Sequence, residues 1–209
     1  MSTGPQPLDD LIAAGTALLA RYAADLRVTD DEIAGLRPAE RPPQAHGLPM
    51  LRLLPGMVAQ SGDDTRNLVQ AIAHAAPQIA WRQTYSEEDG FDKGWLNNYG
   101  WFDFVADQGV LHGDGIRVMI GYWGQGLTYP DHAHPPDEHY LVLAGSGWFR
   151  LGEEPFRHLG PGEIFHTPPR AVHSAEMRDA PLLALAVWRD EDLSVRIDLS
   201  DTGRNVSVR

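Results

Sequence analysis

Between positions 126 and 177 the chain sets its most chemically informative residues at spacings that suit a divalent-metal site. His132 and His134 are two apart, so on one extended strand they face the same way. Glu138 and Tyr140 share that parity. If the strand bends at Pro135-Pro136 and resumes its pleat, all four side chains can point into one cavity. Two imidazoles and a carboxylate converging there describe a site for Zn²⁺, Fe²⁺, Mn²⁺ or Ni²⁺. A further ligand comes from the segment Gly160 to Ser174, where a turn starts a strand and the Pro168-Pro169 corner presents His173. His166 lies on the approaching strand, ahead of that corner, and is the weaker competitor. His139 has the wrong parity for the cavity and reads as outward-facing. His46, His74, His112 and His158 sit in loop or helix contexts and read blandly.

Two phenols stand beside this constellation. Tyr140, two residues after Glu138, should reach the metal or a group bound to it. A phenol so placed would have a lowered pKa and could act as a base near neutral pH. Tyr129, three residues before His132, sits at the cavity rim and offers an alternative base. The same half of the chain is rich in rings: Trp95, Tyr99, Trp101, Tyr122, Trp123, Trp148 and Trp188. Such rings often only fill a core, but several facing one cavity would attract a cation. The combination suits a small zwitterion, with its carboxylate on the metal, its cationic end among rings and a proton removed by tyrosinate. With a sulfonium as β-substituent, loss of a neutral sulfide completes an elimination without acid assistance.

The elements that must position these residues can be read from periodicity. Leu8 to Leu26 carries apolar residues at helical spacing, and Thr29-Asp-Asp-Glu32 is a capping box opening a short second helix. Residues 38 to 56 hold five prolines and read as an extended connector. Asp63 or Asp64 can cap a helix running to Ala76, and Pro77 suits the first turn of another short one. After Gly90, glycine and aspartate punctuate short β-branched and aromatic runs at 101–105, 116–123, 138–143, 147–151, 163–167, 182–188 and 193–198, the texture of a sandwich or small barrel. The expected organisation is a helical extension over 1–90 packed on a β-barrel over 91–209.

Bulk properties narrow the partners. A chain of 209 residues that is 43% hydrophobic can build one sizeable core. A net charge of −12 argues against nucleic acid or an anionic membrane as partner. There are no cysteines, which excludes disulfides and thiolate ligands. The first ten residues have neither a basic n-region nor a long apolar run, and no segment approaches the ~20 apolar residues of a membrane span. A cytoplasmic protein is therefore expected. The apolar helical faces would suit the barrel, one another or a second copy of the chain in a homodimer.

Gly126-x5-His132-x-His134-x3-Glu138-x6-Gly145 matches the first cupin motif at every position, and Gly162-x5-Pro168-x-Arg170-x2-His173 resembles the second. The chain departs from the second motif at Arg170, where glycine is usual, and at Met177, where asparagine often stands. A mainly β, double-stranded β-helix barrel is what this resemblance implies. A narrower likeness, carried by Tyr129-x2-His132-x-His134-x3-Glu138-x-Tyr140, His173, Gly121-Tyr-Trp-Gly-Gln-Gly126 and Val187-Trp188, is to the cupin-type dimethylsulfoniopropionate (DMSP) lyases. That resemblance implies cleavage of DMSP to dimethyl sulfide and acrylate. It also implies metal ligands at His132, His134, Glu138 and His173, a base at Tyr140 or Tyr129, and a pocket lined by Trp188 with Tyr122 and Trp123. Other cupins are dioxygenases, sugar isomerases, lyase-like enzymes of different substrate preference or non-catalytic binding modules, so fold alone does not select the reaction.

Overall fold

The computed structural model describes residues 7–40, 43–190 and 192–193. The helices are α1 (Pro7–Arg21), α2 (Asp30–Ala34), α3 (Leu54–Met57), α4 (Arg66–Ala75) and α5 (Lys93–Leu96). Thr29 caps α2 as its sequence predicts, its side chain and that of Glu32 each accepting from the other's backbone. Two local expectations fail. The proline-rich connector is partly helical, with a 3-10 turn at Pro49–Leu53 running into α3. Pro49 and Pro55 lie in first turns, where a missing N–H leaves no bond unmade. Thr65, not Asp63 or Asp64, stands before α4, and its hydroxyl donates to the Leu143 carbonyl at 2.6 Å, tying the helix to the sheet.

The strands are β1 (Arg37–Pro38), β2 (Tyr99–Val105), β3 (Leu111–His112), β4 (Arg117–Trp123), β5 (Thr128–His132), β6 (Asp137–Gly145), β7 (Gly147–Leu151), β8 (Arg157–Leu159), β9 (Ile164–Thr167), β10 (His173–Glu176) and β11 (Leu182–Arg189). The expected strand at 193–198 lies outside the described residues beyond Leu193. Among those described, a large sheet runs β1-β3-β2-β4-β11-β6-β9 and a small one β5-β10-β7-β8. The two close into a jelly-roll barrel of the cupin type. β5, which carries Pro130, is absent from the runs expected from the sequence. β5 is the edge strand of the small sheet, where a proline breaks no ladder bond.

The large sheet is buried on both faces. One face presents Leu141, Leu143, Leu183, Leu185, Val187, Val118, Ile120, Phe102 and Phe104 to a core that also holds Leu11, Leu18 and Leu19 of α1 and Leu68, Val69 and Ile72 of α4. Gly15 lets α1 approach closely, since a Cβ there would fall 2.2 Å from the Phe104 ring. The barrel-facing side is different in kind, an aromatic cluster including Phe91, Trp95, Tyr99, Trp123, Tyr129, Tyr140 and Phe149. Double burial explains why β11 reads as an unbroken apolar run instead of alternating. The apolar helical faces therefore cover the barrel itself. No helix among the described residues is long and apolar enough to cross a membrane.

Candidate metal centre

The turn at Pro135-Pro136 does more than bend one strand. It carries the chain from β5 in the small sheet to β6 in the large one, so His132 and Glu138 approach from different sheets. His134 stands in the connection between them. His173 is the direct cross-strand partner of His132 on β10, and a register irregularity follows it. Glu138 is likewise opposite Trp188 on β11. The metal-ligand candidates are thus assembled by two antiparallel pairings and one crossover.

Each imidazole is oriented by a carbonyl, which can only accept. His132 Nδ1 donates to the Pro130 carbonyl at 2.7 Å, His134 Nδ1 to Pro136 at 3.0 Å and His173 Nδ1 to Ala171 at 2.9 Å. With the proton on Nδ1, Nε2 can present its lone pair to a cation, which at His134 would replace the proton shared with Glu138. The three histidines offer ligand atoms within 4.8 Å of one another, and all three are buried. Glu138 Oε2 lies 2.9 Å from His134 Nε2 and 3.3 Å from His173 Nε2. The indole N–H of Trp188 donates to the other carboxylate oxygen at 2.5 Å, which fixes the carboxylate plane.

Electrostatics mark the same point. Burial pushes the Glu138 carboxyl up, but the facing His134 and His173 override it and hold it well below the usual range. Burial and then the neighbouring His173 keep His132 neutral. The Nε2 atoms of His132 and His173 are buried with no hydrogen-bond partner among the described residues. Leaving such atoms unpaired is costly, and a divalent cation among these nitrogens and the carboxylate would satisfy both at once. The donor set fits a borderline transition ion.

A cavity of about 410 Å³ opens beside this cluster. Glu138, Tyr140, Tyr129, Trp123 and Trp188 line it, together with Tyr99 and Trp101 of β2. Gly121 makes room for the Trp123 indole, which a Cβ at that position would meet at 2.5 Å. Tyr122, expected to line the pocket, does not. On β4, Arg117, Met119, Gly121 and Trp123 face the cavity, while Val118, Ile120 and Tyr122 have the opposite parity and pack in the helix-covered core.

Both phenols are fully buried against the cluster, and the protein groups alone raise their pKa. Burial, then the Glu138 charge, pushes Tyr140 well above its ordinary value. Burial and the neighbouring Tyr85 and Tyr99 do the same for Tyr129. Only a bound cation could supply the lowered pKa expected of a metal-adjacent phenol.

Sequence reasoning missed the rim. Arg82, Gln83, Thr84 and Arg117 line the more exposed end of the cavity. Arg82 Nη1 and Arg117 Nε donate to the two oxygens of buried Asp103 at 3.1 and 2.7 Å, so two guanidiniums share one carboxylate. Both lie over the Trp101 ring, at 6.0 and 5.5 Å from its centroid. Nothing local to Arg82 announces this, because it joins β2 only through an isolated bridge to Trp101.

Arg170 explains its own departure from the expected glycine. Its φ is +61°, the left-handed region that favours glycine, and its N–H donates to the His134 carbonyl at 2.8 Å. The corner that presents His173 is thereby fastened to the segment that presents His134. Met177, at the other departure, is fully buried in the aromatic cluster and exchanges backbone bonds with Gly126 and Leu127.

A cupin barrel whose interior imidazoles and carboxylate converge beside an aromatic cavity defines the class of protein. The profile of the dimethylsulfoniopropionate lyases matches residues 26–184, and the chain belongs to that family. It is 30% identical over 182 residues to dimethylsulfoniopropionate lyase DddQ of Ruegeria pomeroyi, covering 83% of this chain and 88% of the relative. The crystal structure of DMSP lyase DddQ from Ruegeria pomeroyi DSS-3 superposes with a TM-score of 0.82 at 27% identity, covering 95% of this chain and 98% of that one. A chain from the crystal structures of the DMSP lyases RdDddP and RnDddQII gives 0.81 at 31% identity, over 92% and 96%.

Proposed function

We propose that the protein is a metal-dependent carbon–sulfur lyase that converts DMSP to dimethyl sulfide and acrylate, with His132, His134, Glu138 and His173 as the metal ligands and a tyrosine as base. The observation that carries this reading is the set of Nδ1-anchored imidazoles around Glu138, with Tyr140 and Tyr129 in the wall of the adjoining cavity. A divalent ion held there supplies a Lewis acid for the substrate carboxylate and a positive charge that favours the phenolate form of a neighbouring tyrosine.

The chain's own groups do the rest. Tyr140 is the preferred base and Tyr129 the alternative; the phenolate takes the proton from the carbon next to the carboxylate. The electron pair left behind forms the carbon–carbon double bond, the carbon–sulfur bond breaks, and its pair leaves on sulfur as neutral dimethyl sulfide. Trp188 supports the carboxylate of Glu138 and lines the cavity. Trp123 lines it too. The rings of Tyr99, Trp123 and Tyr129 suit the sulfonium end. Arg82 and Arg117, two cations against one carboxylate, attract the carboxylate of an incoming zwitterion against the −12 background of the chain.

The test is headspace detection of dimethyl sulfide from the purified protein with DMSP, with and without a chelator. Sulfide that the chelator abolishes and Zn²⁺, Fe²⁺, Mn²⁺ or Ni²⁺ restores is the expected result. No sulfide under any metal condition removes the lyase reading.

A further inference from the structure

On the opposite face of β6 from Glu138 lies a second cluster that the proposed reaction does not use. Asp137 opens β6, His139 follows two residues later, and His166 is the cross-strand partner of His139 on β9. The two imidazoles stack with centroids 4.3 Å apart and planes 20° from parallel. Asp137 Oδ1 lies 2.7 Å from His166 Nε2. Its other oxygen is 3.8 Å from His139 Nδ1, too far to bond. His139 faces away from the cavity as its parity predicts, but it is only 4% exposed, and its Nδ1 is buried with no hydrogen-bond partner among the described residues. The three residues offer ligand atoms that lie within 4.8 Å of one another.

A hydrogen-bonded Asp137–His166 pair stacked on a neighbouring ring is the plainer reading of the cluster. It leaves the His139 nitrogen buried and unpaired, which is the feature a cation would resolve. We propose that Asp137, His139 and His166 form a second transition-metal site on the helix-facing side of the large sheet, distinct from the centre inside the barrel. Two imidazoles and one carboxylate select a borderline ion such as Zn²⁺, Ni²⁺ or Cu²⁺ over Ca²⁺ or Mg²⁺. His166 is 38% exposed at its side chain, which provides an entry path and leaves positions for water. Two cations lie near. Arg27 is 3.8 Å from Asp137, but its side chain is 64% exposed and free to swing away. Arg189 is held by both carboxylate oxygens of Glu32 at 2.8 and 2.7 Å, so its charge is already balanced. An ion here clamps β6 to β9 directly behind Glu138.

The test is the zinc stoichiometry of the full chain, stripped of metal, titrated with Zn²⁺ alone and counted by elemental analysis after gel filtration. Wild type should hold two ions, and His166→Ala and His173→Ala one each. Asp137→Asn, which keeps the side-chain volume, should match His166→Ala. Loss of His166 should weaken the outer ion by about 100-fold or more, the top of the range for mere outer-sphere partners of a ligand. The visible bands of Co²⁺ titrated in place of zinc should lose one component in the same variants. A stoichiometry that neither His166→Ala nor Asp137→Asn lowers overturns the outer site. A wild-type value of one that falls to zero in His166→Ala supports it while overturning the metal centre inside the barrel.

Discussion

The two faces of the large sheet are buried to the same degree and built for opposite ends. Toward α1 and α4, away from the Asp137–His139–His166 corner, the side chains are aliphatic: Leu141, Leu143, Leu183, Leu185 and Val187 are all inaccessible to solvent. Toward the barrel interior, one residue along each strand, stand Glu138, Tyr140 and Trp188, between 1% and 6% exposed. Packing of the first kind lowers free energy with every methylene buried. The second kind raises it, by desolvating a carboxylate, leaving imidazole nitrogens unpaired and holding phenols far from water. Burial alone therefore does not distinguish a core from an active site. The distinction is whether the buried polar atoms find partners within the protein or converge on a point that a ligand must fill.

Substitutions on the two faces should separate function from stability. Tyr140→Phe keeps the ring and removes the oxygen; it should lower the rate of dimethyl sulfide release by about 10²–10⁴-fold, the usual contribution of a general base. Bound metal, counted alongside, should be unchanged. If Tyr140→Phe and Tyr129→Phe both retain near-wild-type rates with metal bound, the tyrosine-base mechanism is wrong. On the other face, Leu185→Ala should cost about 2–5 kcal/mol in urea unfolding and leave metal stoichiometry intact. Selective metal loss without loss of stability would erase the contrast between the faces.

Smaller effects test how the helical layer is fastened to the sheet. Hydrogen bonds from Arg189 hold the Glu32 carboxyl down at about 2, against an ordinary 4.5. A carboxylate depressed in the folded state contributes its full stability above the unfolded value and loses it as pH falls toward the folded one. Wild type should exceed Glu32→Gln by about 1–2 kcal/mol near pH 7, after allowing for solvent screening. That gap should close between pH 4.5 and 2, the window set by the two values. A gap unchanged at pH 2.5 would show that the ion pair does not anchor α2. The smallest change is on the ligand side. Arg170→Gly relieves a left-handed backbone and should stabilise the chain by about 0.5–1 kcal/mol in the same unfolding assay. Destabilisation there would mean that the Arg170 side chain holds the corner by contacts that outweigh its strain.

Much of the candidate centre is legible in the sequence alone. Ligand candidates two and four residues apart announce themselves because a strand's period of two is a local property. The capping box at Thr29 and the helical face of α1 are local in the same sense. Resemblance alone puts both Tyr122 and Trp123 in the pocket, whereas strand parity sends only Trp123 to the cavity and Tyr122 to the helix-covered core. The prolines near position 50 misled because their meaning depends on whether they open a helical turn or interrupt an extended segment.

By itself the sequence determined which residues could bind a metal and where strands and helices were to be expected, since these follow from chemistry and spacing along the chain. Tertiary structure alone decided that His132 and Glu138 meet from different sheets, and that Arg82 and Arg117 share Asp103 at the rim. It also buried His139 against His166 on the face away from the barrel interior. The physical reason is common to all three. Spacing sets the face a side chain takes on its own strand, whereas its partner across a turn or a ladder is chosen by closure of the whole barrel.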